Sequence, residues 1–186
     1  MKKSPLEIRL LGPVEIKFDD RPLKISRRVE RAILYILAVE HQPVGRSKLI
    51  DMLWPQAEQM DPRGSLRTAL SRLRNEIPEP DILVTEKDQV WLDPDLCEID
   101  FAIFEHYYQS LQGVLVAFQE DQPLPAQIVH QIQNALSAWH GHSVMHGEDF
   151  SSYDELETWR QSIDQRANYQ RKYLLRRLAE HYRAAG

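Results

Sequence analysis

The sequence predicts an α+β domain over residues 1–94 and an all-α domain over residues 95–186. Three observations support this fold class. Apolar and polar residues alternate with the period of a strand at the start of the chain and again before residue 94, three segments between them show helical spacing, and from residue 100 onward only helical spacing is present. A chain of 186 residues is long enough to form two small domains.

The first segment predicts a small antiparallel sheet. Residues 6–11 and 14–18 alternate between apolar and polar side chains, and Gly12-Pro13 forms the turn between them. After a second turn, residues 23–25 predict a third short strand. Such a sheet buries one face and exposes the other.

Two helices are predicted next. Ser26 is a candidate N-cap for the first, which ends before Pro43. The second is short and runs over residues 46–54, because Pro55 stops it.

The third helix has the clearest signals. Asp61 can cap its free amides, Pro62 occupies the favoured first helical position, and apolar residues recur at helical intervals up to residue 77. Residues 82–85 and 89–92 then predict a hairpin. The predicted order is therefore a sheet, three helices and a hairpin.

The second half of the chain predicts helices alone, over residues 100–111, 125–139 and 153–184. The last of these is either one helix or two. Its apolar positions predict packing within the same domain or, alternatively, a surface for another subunit or for further repeats.

Charge is distributed unevenly along the chain. Residues 21–76 contain eleven Lys and Arg against six Asp and Glu, a net charge of +5. The remainder then carries −10, because the whole chain carries −5. A basic segment joined to an acidic one is the charge pattern expected of a DNA-binding module in a protein with a negative total charge.

The polar face of the third helix predicts a DNA-binding surface. Arg can bind guanine or phosphate, and Thr, Ser and Asn can contact base edges or sugars. The candidate DNA-binding residues are Arg63, Arg67, Thr68, Ser71, Arg72, Arg74 and Asn75, with Lys87 at the hairpin tip as a weaker candidate. Arg is also a good helix former, so this face is alternatively an ordinary solvated surface. A short helix, a turn, a basic helix and a hairpin are the setting in which recognition helices dock, which favours a winged helix-turn-helix domain.

At the level of motifs the chain resembles the SARP-type bacterial transcriptional activators, which join an OmpR-type winged helix to a helical bacterial transcriptional activator domain. The resemblance spans nearly the whole chain. Its motifs are LLGPVE at 10–15, PVGR at 43–46, LIDMLWP at 49–55, SLRTALSRLR at 65–74, IDFAIFE at 99–105 and ALSAW at 135–139.

This resemblance implies a recognition helix over residues 63–77 and a tetratricopeptide-like helical domain after residue 100. It implies a loop that contacts RNA polymerase, with Pro55, Gln56, Glu58 and Gln59 as candidate contacts, and self-association on direct repeats of double-stranded DNA. Two departures bear on these roles. Gly45 stands where the family often has a capping Ser or Thr, and Gln89-Val90-Trp91 replaces the usual Gly-aromatic-Arg of the wing.

Several other chemistries are not favoured by the sequence. The single Cys97 gives neither an internal disulfide nor a Cys-rich zinc site. His140, His142 and His146 could in principle ligate a metal, but their spacing fits neither a helical pair nor a known finger. Gly45-Arg46-Ser47-Lys48 lacks the spacing of a phosphate-binding loop. We expect no cofactor and no catalysis.

The function expected from the sequence is a sequence-specific DNA-binding regulator that recruits RNA polymerase. The alternative is a protein-interaction adaptor that keeps the winged-helix scaffold without specific DNA binding. The amino terminus lacks a secretory pattern and no apolar run reaches membrane-spanning length, so a cytoplasmic protein is expected.

Overall fold

The computed structural model describes residues 5–55, 61–119 and 122–185. Its elements are, in chain order, β1 (Leu6–Arg9), β2 (Glu15–Phe18), β3 (Arg21–Pro22), α1 (Arg28–Glu40), β4 (Val44–Gly45), α2 (Arg46–Leu53), α3 (Pro62–Glu76), β5 (Leu83–Glu86), β6 (Gln89–Leu92), β7 (Cys97–Ile99), α4 (Asp100–Leu115), α5 (Ala126–Ser137) and α6 (Asp154–Ala185). One turn of 3-10 helix, Pro80–Ile82, precedes β5. The predicted order of a sheet-containing part followed by helices is confirmed.

The first sheet has the strand order β3-β2-β1-β7. Ile8 of β1 lies opposite Ile16 of β2, and both side chains are buried because alternation places them on the same face of the sheet. β7 pairs with β1 in parallel, with Cys97 opposite Leu6. β7 was not predicted from the sequence, and it extends the first sheet past residue 94.

The third strand was predicted over residues 23–25, and this placement is wrong. The paired residues are Arg21 and Pro22, because Asp19 and Asp20 both adopt positive φ angles of 47° and 64° and complete a tight turn immediately before them. Ile25 is instead buried in the core.

The core of the N-terminal part forms around α1, whose residues Ala32–Val39 are all buried. Ser26 was predicted to cap this helix, and that prediction is wrong. The N-cap position is Arg27, which makes no side-chain capping bond, so Ser26 lies one residue too early. The Ser26 N–H instead donates to Glu76 Oε2 of α3 at 3.1 Å.

A second sheet, of order β4-β6-β5, forms the hairpin and ties it to α2. Val44 of β4 pairs with Val90 of β6, and both are buried. The backbone N–H of Arg46, the first residue of α2, donates to the Asp88 carbonyl at the hairpin tip at 2.7 Å. The hairpin is therefore fixed beside the start of α2.

In the helical part, α5 packs against both α4 and α6. α4 extends four residues beyond its predicted end at residue 111, and α6 is one continuous helix of 32 residues. In the part of the chain that the structure describes, no helix combines the length and apolarity needed to cross a bilayer.

The loop between α5 and α6 joins the helical part to the first sheet. The backbone N–H groups of His140, Met145 and His146 donate to the carbonyls of Leu11, Leu10 and Gly12 at 3.0, 2.7 and 2.9 Å. These bonds use the backbone carbonyls of the three residues that follow β1. The two parts therefore share a backbone hydrogen-bond network.

A second junction is centred on the carboxylate of Glu148. Tyr35 Oη donates to Glu148 Oε1 at 3.1 Å, and Arg31 Nε donates to Oε2 at 3.2 Å. Burial raises the pKa of Tyr35 well above its usual range, and the negative charge of Glu148 raises it further. Tyr35 therefore stays protonated as a donor to the helical part.

Candidate nucleic-acid interface

Helix α3 is held by one apolar face. Leu66, Ala69, Leu70 and Leu73 recur at three- and four-residue intervals and are buried against α1 and α2. The Asp61 side chain accepts the Gly64 N–H at 2.9 Å, and Pro62 occupies the first turn. The predicted cap is thus confirmed, and the opposite face of α3 points away from the core.

The exposed face of α3 is a surface of donors. The sequence has no Asp or Glu between Pro62 and Asn75. Thr68 Oγ1 donates to the Gly64 carbonyl of the preceding turn at 2.9 Å, which leaves its oxygen free to accept. The exposed predicted residues that the structure places together on α3 are Arg63, Arg67, Thr68, Ser71, Arg72 and Asn75. We call this set the α3 face.

Arg74, also predicted to bind DNA, is engaged by the hairpin. Its Nη2 donates to the Leu83 carbonyl at 2.9 Å and to Thr85 Oγ1 at 3.1 Å. The residue is only partly exposed and links α3 to β5. The sequence could not distinguish Arg74 from its neighbours, because its hydrogen bonds form only when the hairpin packs beside α3.

Arg72 has a carboxylate beneath it. Its Nη1 lies 3.9 Å from Glu30 Oε1, and Glu30 is 1% exposed. A buried carboxylate needs a nearby positive charge, so Arg72 both belongs to the α3 face and compensates Glu30.

The hairpin and the start of α2 border the α3 face on one side. Lys87 is exposed at the hairpin tip with a φ of 46°. A groove of about 720 Å³ lies between this tip, α2 and the start of α3. Its lining includes Arg46, Ser47, Asp51, Arg63, Arg67 and Lys87. We call it the wing-side groove.

Arg46 is a candidate that the sequence analysis missed. Its Nε is buried and makes no hydrogen bond within the described residues, although it lines a groove open to a ligand. The sequence feature that could have identified Arg46 is its position as the first residue of the short helix that precedes the basic helix.

A second groove, of about 830 Å³, borders the α3 face on the other side. Its lining includes four arginines from two helices, Arg27 and Arg28 of the α1 start and Arg67 and Arg72 of α3. Trp54 and Tyr153 complete its walls, and Tyr153 comes from the helical part. We call it the arginine groove.

Arg28 also contacts the helical part directly. Its Nη1 donates to Ser152 Oγ at 2.9 Å, and its Nη2 lies 3.9 Å from Asp149 Oδ2. Hydrogen bonds from Ser151, more than the charge of Arg28, hold the pKa of Asp149 below its usual range. Asp149 is therefore ionised at neutral pH.

The predicted polymerase-contact loop and the histidine-rich loop, at which metal binding was not favoured, lie outside the α3 face. Of the predicted polymerase-contact loop, Pro55 is exposed, and Gln56, Glu58 and Gln59 lie outside the described residues. In the histidine-rich loop, His140 Nε2 lies 3.0 Å from the buried Asp100 Oδ2. Within the described ranges, no three His, Cys, Asp or Glu side chains are grouped closely enough to hold a metal ion.

No protein-family model and no curated protein matches the chain. Among solved structures, the fold is similar to that of Mycobacterium tuberculosis EmbR in complex with a low affinity phosphopeptide. The TM-score is 0.64, the sequence identity is 22%, and the match covers 90% of this chain and 44% of the EmbR chain. The likeness shows a common fold, and this chain spans less than half the length of EmbR.

Proposed function

We propose that this chain is a sequence-specific DNA-binding transcription regulator whose α3 face enters the major groove. One observation supports this most strongly: six exposed polar or cationic side chains share one side of a helix whose other side is buried, with no acid among them. The fold shared with EmbR, a SARP-family regulator, supports a regulator of that type.

The α3 face has the chemistry that base recognition needs. An exposed Arg can bind guanine through two parallel hydrogen bonds, and Asn can bind adenine in the same manner. In this proposal Arg67 and Asn75 are the residues best suited to base edges, because no carboxylate in the described part of the chain engages either of them as Glu30 engages Arg72. Arg74 is a framework residue that fixes the hairpin to α3.

The wing-side groove supplies backbone contacts. Four cationic side chains line this groove beside α3 against two carboxylates: Arg46, Arg63, Arg67 and Lys87 against Asp51 and Asp88. Contacts of Lys and Arg with phosphate fix the position of a protein on DNA without conferring sequence preference.

The family resemblance supports further roles. The loop over residues 55–60 is proposed to contact RNA polymerase, the protein to self-associate on direct repeats, and the helical part to be tetratricopeptide-like. A domain boundary at residue 94, with β7 beyond it completing the first sheet, and a cytoplasmic location are proposed from the sequence pattern. The mechanism is recruitment, with no catalytic step and no cofactor.

Gel-shift titration with the DNA upstream of the gene tests this proposal. Arg67→Ala is the informative variant, since Arg72→Ala would also strip the charge that compensates buried Glu30. The matched control is Lys172→Ala, which removes an exposed charge about 27 Å along α6 from its first residue. We expect specific binding to be about tenfold weaker in Arg67→Ala and unchanged in the control. Weak binding to any duplex that vanishes at physiological salt, with capture of a protein partner instead, would favour the adaptor.

A further inference from the structure

Arg27 and Arg28, on the α1 side of the arginine groove, have no part in the function proposed above, and the four arginines of the groove favour an anionic ligand. Arg27 and Arg28 are exposed, and Arg28 keeps 41% of its side chain accessible even while it contacts Ser152 and Asp149. Arg67, which lines the wing-side groove as well, forms the boundary between the two grooves.

The acids that line the arginine groove do not neutralise it. Glu30 is 1% exposed and lies beside Arg72, so its charge is already compensated. Asp61 accepts the Gly64 N–H as the cap of α3 and keeps its charge, and Asp149 lies 3.9 Å from Arg28. Among the described residues, the four arginines that line the groove still outnumber the carboxylates of Glu30, Asp61 and Asp149 by one.

The placement of the two grooves matches the geometry of duplex DNA. A helix in the major groove has a phosphate backbone on each side of it, because the groove is about 12 Å wide between the two strands. The wing-side groove lies on one side of α3, and the arginine groove lies on the other. A helix docked through the α3 face thus brings the arginine groove to the second backbone.

We propose that the arginine groove binds backbone phosphates of the DNA strand that bounds α3 on the side away from the hairpin. Arg27 and Arg28 supply the contacts, and Ser152 of the helical part positions the Arg28 guanidinium through its 2.9 Å hydrogen bond. This inference rests on the proposed function and extends the DNA contact surface from α3 to the start of α1. The helical part then forms one side of the DNA-binding site, because Tyr153 lines the groove and Ser152 accepts a hydrogen bond from Arg28.

The salt dependence of DNA affinity tests this directly. The probe is a mixed-sequence duplex of about three helical turns, with affinity measured by fluorescence anisotropy between about 50 and 200 mM salt. Each phosphate contact contributes about 0.9 to the slope of log affinity against log salt. We expect Arg27→Ala and Arg28→Ala each to make the slope shallower by about 0.9, and the double variant by about twice that. Arg28→Lys should restore the slope, because it restores the charge.

Two reference variants make the outcomes distinguishable. Arg63→Ala removes a charge of the wing-side groove alone, and Lys172→Ala removes a remote one. If Arg63→Ala makes the slope shallower while Arg27→Ala and Arg28→Ala do not, DNA binding stands and the inference is overturned. If the wild-type protein binds no duplex, or if Arg63→Ala also leaves the slope unchanged, the proposed function fails and the inference with it. Arg27→Ala is expected to fold, because the Arg27 side chain is exposed at the start of α1. An unchanged slope in this variant therefore overturns the inference.

Discussion

Asp100, the first residue of α4, accepts the backbone N–H of Leu10 on its Oδ1 at 2.8 Å, across 90 residues of sequence. Its Oδ2 accepts the Leu11 N–H at 2.9 Å and lies 3.0 Å from His140 Nε2. Burial raises the pKa of Asp100, and the hydrogen bonds from Leu11 and Leu10 oppose that rise. One carboxylate thus satisfies the amides that follow β1 and joins the sheet to the helical part.

Asp100→Ala should lower the free energy of unfolding by about 3 kcal/mol, because it leaves two buried amides without an acceptor. Urea unfolding followed by circular dichroism measures this change. Asp81→Ala, which removes an exposed carboxylate, should stay within about 0.5 kcal/mol of wild type. Equal midpoints for the two variants would show that Asp100 does not join the two parts.

Gly141→Ala should also destabilise the protein. A Cβ at this position would lie 2.6 Å from the Gly12 Cα, so the sheet and the loop between α5 and α6 would have to separate. Gly113→Ala on α4 is the matched control, since its Cβ would meet no atom within 4 Å, and we expect it to stabilise the protein by about 0.5–1 kcal/mol. Thermal melting distinguishes the two, and a Gly141→Ala protein that melts with wild type contradicts the close packing.

Asp61→Ala should cost about 1 kcal/mol through loss of the α3 cap, and the melting temperature should fall by about 2–4 °C. Asp61→Asn should melt close to wild type, because Asn caps a helix as well as Asp does. Calorimetry of the three proteins checks this. Equal destabilisation by both substitutions would mean that the charge of Asp61, rather than its hydrogen bond to Gly64, stabilises α3.

The stability of the fold should fall with rising pH through the titration of Cys97. Burial, reinforced by the charge of Asp93, raises the pKa of its thiol to about 12, above its ordinary value of 9.0. The unfolded chain releases this proton first, so the contribution of Cys97 is complete below pH 9.0 and is lost as the pH rises toward 12. Denaturant titrations in reducing buffer should show a steeper decline for wild type than for Cys97→Ala over this window. Parallel profiles would mean that the thiol is accessible.

The start of α3 was predicted correctly, because the residues that determine it are neighbours in the sequence. The Asp61-Pro62 start of α3 has a cap and a preset first turn within a few residues of each other, and both are in the structure. The second turn was predicted over residues 19–22, but Asp19 and Asp20 complete it with positive φ angles, so β3 begins two residues earlier than predicted.

The long-range pairings could not be predicted in this way. β7 has three residues and pairs with β1, from which it is separated by most of the N-terminal part. The same limit applies to the site, since Arg74 differs from Arg67 only through the hairpin beside it. Arg27 and Arg28 precede the predicted basic helix by some 35 residues and join its surface only in the folded chain.

The most direct test of the account is the ratio of affinities for a site selected from a random duplex library and for a scrambled duplex of the same composition. For the wild-type protein we expect a ratio on the order of 10³ or more. Arg67→Ala should reduce that ratio by about tenfold, the value of one base contact of about 1–3 kcal/mol, while Lys172→Ala leaves it unchanged. A wild-type protein that binds both duplexes equally, or an Arg67→Ala protein that keeps the full ratio, would contradict recognition of DNA by the α3 face.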